Sequence, residues 1–126
     1  MADVKIIVEA ENDLTVFTVE GELTANEIIS YSSEFYDKEP TKLVLWNALK
    51  GSFKNISNKD FQRIAKQMKV YTSKRKGGKT AFVGVFDLDY GLRRMYEALA
   101  EIEQLPITYR TFRTVEEARQ WLFSVE

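Results

Sequence analysis

The sequence contains no cysteine, no histidine and only two prolines in 126 residues. Without cysteine the chain has no disulfide, thiolate metal site or cysteine nucleophile, which agrees with a reducing compartment. Without histidine it has no Ser-His-Asp triad, histidine metal ligand or phosphohistidine chemistry. Most familiar hydrolase mechanisms are therefore excluded. We predict a non-enzymatic protein with no catalytic residues, no metal site and no cofactor.

Long hydrophobic runs are also missing. No run approaches the ~20 apolar residues that span a bilayer. The opening MADVKIIVEAENDL carries four acids and lacks the apolar stretch of a secretory signal. We therefore expect a cytoplasmic protein that is not an integral membrane protein. No repeat or linker divides the sequence, so residues 1–126 are predicted to form a single domain.

Hydrophobic alternation predicts an opening β-hairpin. Val4, Ile6, Val8 and Ala10 alternate with mostly polar neighbours, and the β-branched and aromatic run LTVFTVEG follows a turn at Asn12-Asp13. Two later runs, LVLW from Leu43 and TAFVGVF from Thr80 to Phe86, are apolar without alternation. Such runs are typical of strands that are covered on both faces. ITYRTF is predicted to be the last strand.

Four helices are predicted between and after these strands. Thr24 with Glu27, Ser57 with Asp60, and Thr114 with Glu117 each fit a capping box, in which two side chains satisfy free backbone N–H groups. Helical spacing then predicts buried faces, consisting of Ile28, Tyr31, Ser32 and Phe35; of Phe61, Ile64, Ala65, Met68 and Tyr71 or Thr72; of Leu88, Leu92, Met95, Leu99 and Ile102; and of Val115, Ala118, Leu122 and Val125.

The predicted element order is β-β-α-β-α-β-α-β-α. Strands that are separated by helices run parallel and cross over right-handedly in nearly all proteins, whereas a hairpin pairs antiparallel. We therefore predict an α/β fold with a mixed, mostly parallel five-stranded sheet.

This order resembles the SpoIIAA-like or STAS domain family, and in particular its divergent bacterial branch of STAS/SEC14 type. The segments that carry the resemblance are TKLVLWNALKGSF, at the third strand and its following loop, and ITYRTFRTVEEARQWL, where a strand enters a capped helix. The resemblance implies a (βα) superhelix and a bacterial, regulatory protein-interaction domain similar to anti-sigma factor antagonists. It implies a non-enzymatic interaction domain more strongly than a phosphorylation switch.

Ser57 has two interpretations. In the antagonists that the chain resembles, a phosphorylated residue begins the helix after the third strand, within Asp-Ser-Ser/Thr-Gly. Here that place reads NISNKD, and Ser57 is the residue that matches. The residue type and the acid three positions later also suit a helix cap. Ser57 is therefore either a phosphoacceptor or a cap, and the cap is favoured.

Polar residues follow the predicted parallel strands at their carboxyl ends, where open α/β sheets bind ligands. This predicts an interaction or binding edge that contains Asn47, Ser52, Asp87 and Asp89. The two aspartates have three interpretations: a general acid and base, oxygen ligands for magnesium, or helix caps. Caps are favoured, because DLDYGL supplies no further acid at a metal-binding offset.

A basic segment lies between Phe61 and Thr80, where seven Lys and Arg residues occur without an acid in a chain of net charge −1. We predict a basic surface formed by Lys69, Lys74, Arg75, Lys76 and Lys79. A solvated helix end is the simpler interpretation. If the segment binds a partner, a protein is favoured over nucleic acid. Nucleic-acid binding uses several aromatic rings that stack on bases, and Tyr71 is the one aromatic residue in the segment. Peripheral contact with an anionic membrane is a weaker alternative.

Aromatic side chains are abundant, with eight Phe, six Tyr and two Trp. Most must be core, and the excess predicts either a homodimer contact or an apolar pocket. The leading hypothesis is thus a regulatory protein-interaction domain that also associates with itself. The alternative is a carrier or sensor domain that binds a small apolar, lipid-like ligand.

Overall fold

The computed structural model describes residues 2–85 and 87–125, and the side chains of residues 87–89 lie outside that description. Five strands form one sheet in which spatial order follows chain order. They are β1 (Asp3–Glu9), β2 (Leu14–Glu22), β3 (Leu43–Ser52), β4 (Lys79–Val83) and β5 (Thr108–Phe112). β1 pairs antiparallel with β2, and every later pair is parallel. The predicted mixed, mostly parallel sheet is confirmed.

The hairpin between β1 and β2 turns where the sequence predicts. A single 3-10 turn covers Ala10–Asn12, and Asp13 adopts the left-handed conformation with φ of 51°. Aspartate tolerates this conformation better than most residues, because its short polar side chain can bond the local backbone. The turn sets the register in which Ile6 faces Phe17 and Ile7 faces Val16.

Four helices cover the sheet unequally: α1 (Ala25–Asp37), α2 (Asn58–Met68), α3 (Asp87–Ile102) and α4 (Val115–Leu122). The strands advance in one direction across the sheet, so crossovers of one hand place α1, α2 and α3 on the same face. These helices pack on the cluster around Trp46. α4 packs on the opposite face, against the smaller cluster around Leu45.

Strand β3 lies at the centre of both clusters. Val44 and Trp46 face α1 to α3, whereas Leu45 faces α4, and all three are buried. Trp46 stacks on Phe17 of β2 with 4.3 Å between ring centroids. The unalternating LVLW run is therefore buried on both faces, as predicted.

Two helix predictions need correction at their ends. α2 ends at Met68, and a separate 3-10 turn covers Thr72–Arg75, so Tyr71 and Thr72 do not continue the helix. α4 ends at Leu122, and Val125 beyond it is fully exposed instead of completing the buried face. β4 ends at Val83, so Gly84 and Val85 do not continue the predicted fourth strand, and Phe86 lies outside the described residues.

The buried face of α3 also differs from the predicted leucine stripe. Arg93, Tyr96 and Ala100 are its buried residues, Leu92 and Leu99 are partly buried beside them, and Met95 is partly exposed. Ile102 is 72% exposed. The helix is rotated because the Tyr96 ring packs between aromatic rings of the sheet, at 5.7 Å from Phe82 and 5.2 Å from Tyr109 between centroids. The side chain of Leu88 lies outside the described part.

The three predicted capping boxes are not equally complete. Those of α1 and α2 have both reciprocal hydrogen bonds. At α4, the N–H of Glu117 donates to Thr114 Oγ1, but the Glu117 carboxylate accepts from the Thr114 hydroxyl instead of its backbone N–H. The third box is therefore only half formed.

Candidate functional site

Asn47, predicted to follow the third strand, lies inside β3 instead, and Ser52 is the last residue of that strand. Asn47 Oδ1 accepts the N–H of Leu49 at 3.1 Å. Ser52 Oγ accepts the N–H of Lys54 at the same distance. Asp87 and Asp89 fall in the first turn of α3, and their side chains lie outside the described residues. Asn47 and Ser52 thus shape the chain locally.

Ser57 caps α2. Its Oγ accepts the N–H of Asp60, and its own N–H donates to the Asp60 carboxylate, each at 3.1 Å. These bonds lower the pKa of Asp60, with the bond from the Ser57 backbone contributing most. The hydroxyl is exposed. A phosphate there would face the positive end of a helix dipole, so phosphorylation of Ser57 stays a prediction.

Replacing the cap has an expected cost. Ser57→Ala should lower the free energy of unfolding by about 1 kcal/mol, because the Asp60 N–H loses its acceptor. Ser57→Asp should stay near wild type, since aspartate caps as well as serine. Urea denaturation of the three proteins measures both changes. Equal loss in the two variants would show that the hydroxyl has a role other than capping.

Arg75 corrects the predicted basic surface, because it is buried at 2% exposure. Its Nε and Nη2 donate to the backbone carbonyls of Thr41, Lys42 and Lys79 at 2.7–2.9 Å. Its Nη1 donates to Tyr36 Oη and Thr80 Oγ1, both at 3.1 Å. All five donors of a guanidinium are thus used. Arg75 joins the starts of β3 and β4 to α1 and is not a surface charge.

Other residues of the basic segment also bond within the chain. Lys79 Nζ donates to the carbonyls of Trp121 and Ser124 at 2.9 and 3.0 Å, and so neutralises the C-terminal end of α4. Lys74 Nζ donates to the Tyr36 carbonyl. Lys69 and Lys76 are exposed, and Lys69 lies 3.7 Å from Glu103. Lys74, Arg75 and Lys79 thus bond within the chain. Fewer positive charges of the segment are therefore available to bind a partner.

A second buried arginine lies where β4 ends. Arg93 of α3 is 1% exposed, and its Cζ lies 4.4 Å from the centroid of the Phe53 ring. A Cβ atom at Gly84 would overlap the guanidinium. The absence of a side chain at Gly84 therefore allows the guanidinium to lie close to the backbone. The helical stripe of leucines gave no signal for this arginine, because sequence periodicity alone does not mark a buried charge.

An aromatic cavity of about 50 Å³ lies between the sheet and α1 to α3. Its lining includes the rings of Trp46, Phe82, Tyr96 and Tyr109. Burial raises the pKa of both tyrosines above the ordinary value, so they stay neutral phenols at physiological pH. The cavity is much smaller than the ~300–1,000 Å³ of usual ligand pockets, and it could hold a few water molecules.

Glu97 of α3 titrates near neutrality. Burial raises its pKa to about 7, although nearby Arg94 and Arg110 favour the ionised form. In the unfolded chain its pKa is near 4.5. The folded state thus binds an extra proton between these values, and stability from Glu97 is full below pH 4.5 and is lost as pH rises through 7.

The raised pKa of Glu97 should therefore make the free energy of unfolding fall as the pH rises. Glu97→Gln should remove the decline in unfolding free energy between about pH 5 and pH 8 and stabilise the protein at the alkaline end. Urea midpoints at several pH values measure it. The lowered pKa values of Glu9 and Asp60 act below this range. An unchanged slope in Glu97→Gln would contradict the assignment.

Strand β1 forms an open, apolar sheet edge. Ile6, Ile7 and Val8 are 48%, 56% and 60% exposed, and they point to alternate faces. Neither face of the strand is therefore covered. At the other sheet edge, β5 has α3 on one side and α4 on the other, and it carries the exposed Arg110. An unprotected apolar edge is a template for pairing with another strand.

A groove runs beside β1 on the face of α1 to α3. Its volume is about 190 Å³, and its floor contains Ile6 and Val8. Tyr31 and Phe35 of α1 line its other side, and Lys38 lies at its rim. The sequence pattern predicted this strand and placed the opening hairpin at an antiparallel sheet edge, but it did not predict that the edge is an exposed apolar surface. The consecutive apolar residues Ile6–Val8 could have indicated this exposed edge. Such a strand is buried only if other elements pack on both of its faces.

No cluster of three or more acidic, histidine or cysteine residues suited to a metal ion occurs in the described part of the chain. None of its helices combines the length and hydrophobicity that crossing a bilayer requires.

The comparisons with known proteins define the class of fold. No family model and no curated protein matches the chain. The chain has a SpoIIAA-like α/β fold, because it is similar to a solved structure so described. That structure is an uncharacterised protein of the DUF3478 family from Shewanella loihica PV-4, with 16% identity and a TM-score of 0.57. The match covers 96% of this chain and 93% of that chain, and at this identity it shows the fold alone.

Proposed function

We propose that this chain is a non-enzymatic regulatory domain that works by binding another protein chain along β1. The observation that carries the proposal is the open edge, where Ile6, Ile7 and Val8 are each about half exposed. Strand addition at such an edge supplies main-chain hydrogen bonds for affinity and alternate side chains for specificity. The absence of histidine and cysteine from the sequence supports a binding role over catalysis.

A matched pair of variants tests this proposal. Tagged wild type, Ile7→Lys and Val70→Lys are used to capture proteins from the source cells, and retained proteins are quantified by mass spectrometry. Val70 is 78% exposed and lies beyond the end of α2, so it controls for a lysine at an exposed apolar position. We expect specific proteins, which include untagged copies of this chain, to be lost with Ile7→Lys and kept with Val70→Lys. Identical sets from the two variants would contradict the proposal.

A small apolar-ligand carrier is the second candidate, and the aromatic cavity favours it. The cavity volume of about 50 Å³ means that the helices would have to move apart to admit a lipid-like molecule. Native mass spectrometry of protein taken directly from cells separates the candidates. A small retained adduct supports the carrier, a doubled chain mass supports association, and a bare monomer counts against both.

A further inference from the structure

We propose that β1 pairs antiparallel with β1 of a second copy, with the two Ile7 residues facing each other on a two-fold axis. This inference rests on the proposed function and names the partner. It joins two five-stranded sheets into one continuous sheet and covers the open edge of both copies. A two-fold contact suits a single exposed strand, because the same surface serves both sides.

The charge pattern of β1 selects the register. Directly opposite residues of antiparallel strands point to the same face, so a symmetric pair is centred on one residue. Centring on Ile7 places Lys5 of each copy opposite Glu9 of the other. Centring on Ile6 instead places Asp3 opposite Glu9 twice, and centring on Lys5 places two lysines together. Like charges directly opposite destabilise a strand pair, which disfavours the Ile6 and Lys5 registers. Centring on Val4 pairs Asp3 with Lys5 but leaves the exposed Ile7 and Val8 without a partner, so the Ile7 register is favoured.

The apolar side chains fit the same register. Ile7 meets Ile7 on the face of α4, and Ile6 of each copy meets Val8 of the other on the opposite face. Each of the three exposed apolar residues thereby gains an apolar neighbour on the facing strand, which covers part of its exposed surface. Ile6 and Val8 also form the floor of the groove beside α1, so the grooves of the two copies become continuous across the axis.

Glu9 is held in place for this contact. Arg119 of α4 donates to both of its carboxylate oxygens, at 2.9 and 3.0 Å, and Asn12 donates at 2.8 Å. The side chain keeps 27% of its exposure. A carboxylate offers about four acceptor positions, so it can accept Lys5 of a second copy in addition. Arg119 acts here as a positioning residue for the intermolecular pair.

The absence of cysteine from the chain allows a clean cross-linking test of the register. Opposite Cα atoms in an antiparallel pair are ~4.5–5.5 Å apart, within the ~4.4–6.8 Å of disulfides. In the proposed register, residue 6 of one copy is offset from residue 6 of the other by two positions, which exceeds that range. Under mild oxidation, Ile7→Cys should form disulfide dimers at least tenfold faster than Ile6→Cys and Val70→Cys.

A charge reversal measures the same contact in solution. In the proposed register, Lys5→Glu places a carboxylate opposite Glu9 of the other copy. Lys59→Glu makes the same change of charge at an exposed position of α2. Sedimentation velocity over a concentration series should show a wild-type dimer, a dissociation constant at least tenfold weaker for Lys5→Glu, and little change for Lys59→Glu.

Several results would overturn the dimer. They are a wild type that stays monomeric at every concentration, Ile6→Cys linking as fast as Ile7→Cys, or equal effects of Lys5→Glu and Lys59→Glu. A monomer that still captures a different protein in an Ile7-dependent way contradicts self-pairing and leaves the proposed function standing. Loss of both self-pairing and capture contradicts the two proposals together.

Discussion

Gly84→Ala is expected to lower the free energy of unfolding by about 1 to 3 kcal/mol. The added methyl group would overlap the buried guanidinium of Arg93. Arg93 is 1% exposed, packs against the Phe53 ring and lines the aromatic cavity of about 50 Å³. The guanidinium must move towards the cavity or the end of β4 must shift, and in both cases the buried Arg93 side chain leaves its native position.

Gly91→Ala is the matched control for this substitution. Gly91 lies in α3, and a Cβ there would meet no atom within 4 Å. Alanine is the better helix former, so this variant should be more stable than wild type by about 0.5 to 1 kcal/mol. Urea denaturation at one fixed protein concentration measures both, because self-association alters apparent stability. A Gly84→Ala protein as stable as Gly91→Ala would refute the packing of Arg93.

Arg75→Met should cost about 3 to 5 kcal/mol. The change leaves three backbone carbonyls and two side-chain oxygens without the donors they have in the native protein. Methionine fills much of the volume, so the loss reports mainly the polar contacts. Arg75→Lys should recover only part of it, since one ammonium cannot reproduce the planar fork of a guanidinium.

Lys76→Met controls for the loss of a neighbouring positive charge. Lys76 is exposed, and surface substitutions of this kind usually change stability by less than about 0.5 kcal/mol. Urea midpoints of Arg75→Met, Arg75→Lys and Lys76→Met give the comparison. If Arg75→Met and Lys76→Met unfold at the same urea concentration, the five-bond network contributes nothing to the native state.

Much of the fold is predictable because several local sequence signals agree with the order of the elements. Thr24 and Ser57 mark helix starts by their side-chain chemistry, and LVLW marks a strand that is buried on both faces. The order of elements then determines which strands run parallel. These signals depend on near neighbours in sequence, and the structure contains each of them.

The less predictable features depend on contacts between distant residues. Tyr96 is buried in preference to Met95 because Phe82 and Tyr109 of the sheet form aromatic contacts with it. Arg75 is buried because carbonyls from residues over thirty positions earlier converge on it. In the sequence it looks like its exposed neighbours Lys74 and Lys76. Residue type alone does not tell such an arginine from a surface charge.

The candidate binding edge was missed for a related reason. A hairpin strand with apolar residues on both faces is consistent with a buried strand until the helices are placed. The crossovers advance away from β1, so α1 to α3 cover the later strands, and α4 packs on β3, β4 and β5. Exposure of Ile7 follows from that asymmetric layout.

Hydrogen exchange on the wild-type protein tests the pairing of β1 most directly. Every second N–H of an edge strand points away from the sheet and exchanges rapidly in a monomer. As the protein is concentrated, we expect these amides within Asp3–Glu9 to become protected, whereas the outward amides of β5 stay unchanged. Equally fast exchange of the outward β1 amides at every concentration would contradict self-pairing along this edge.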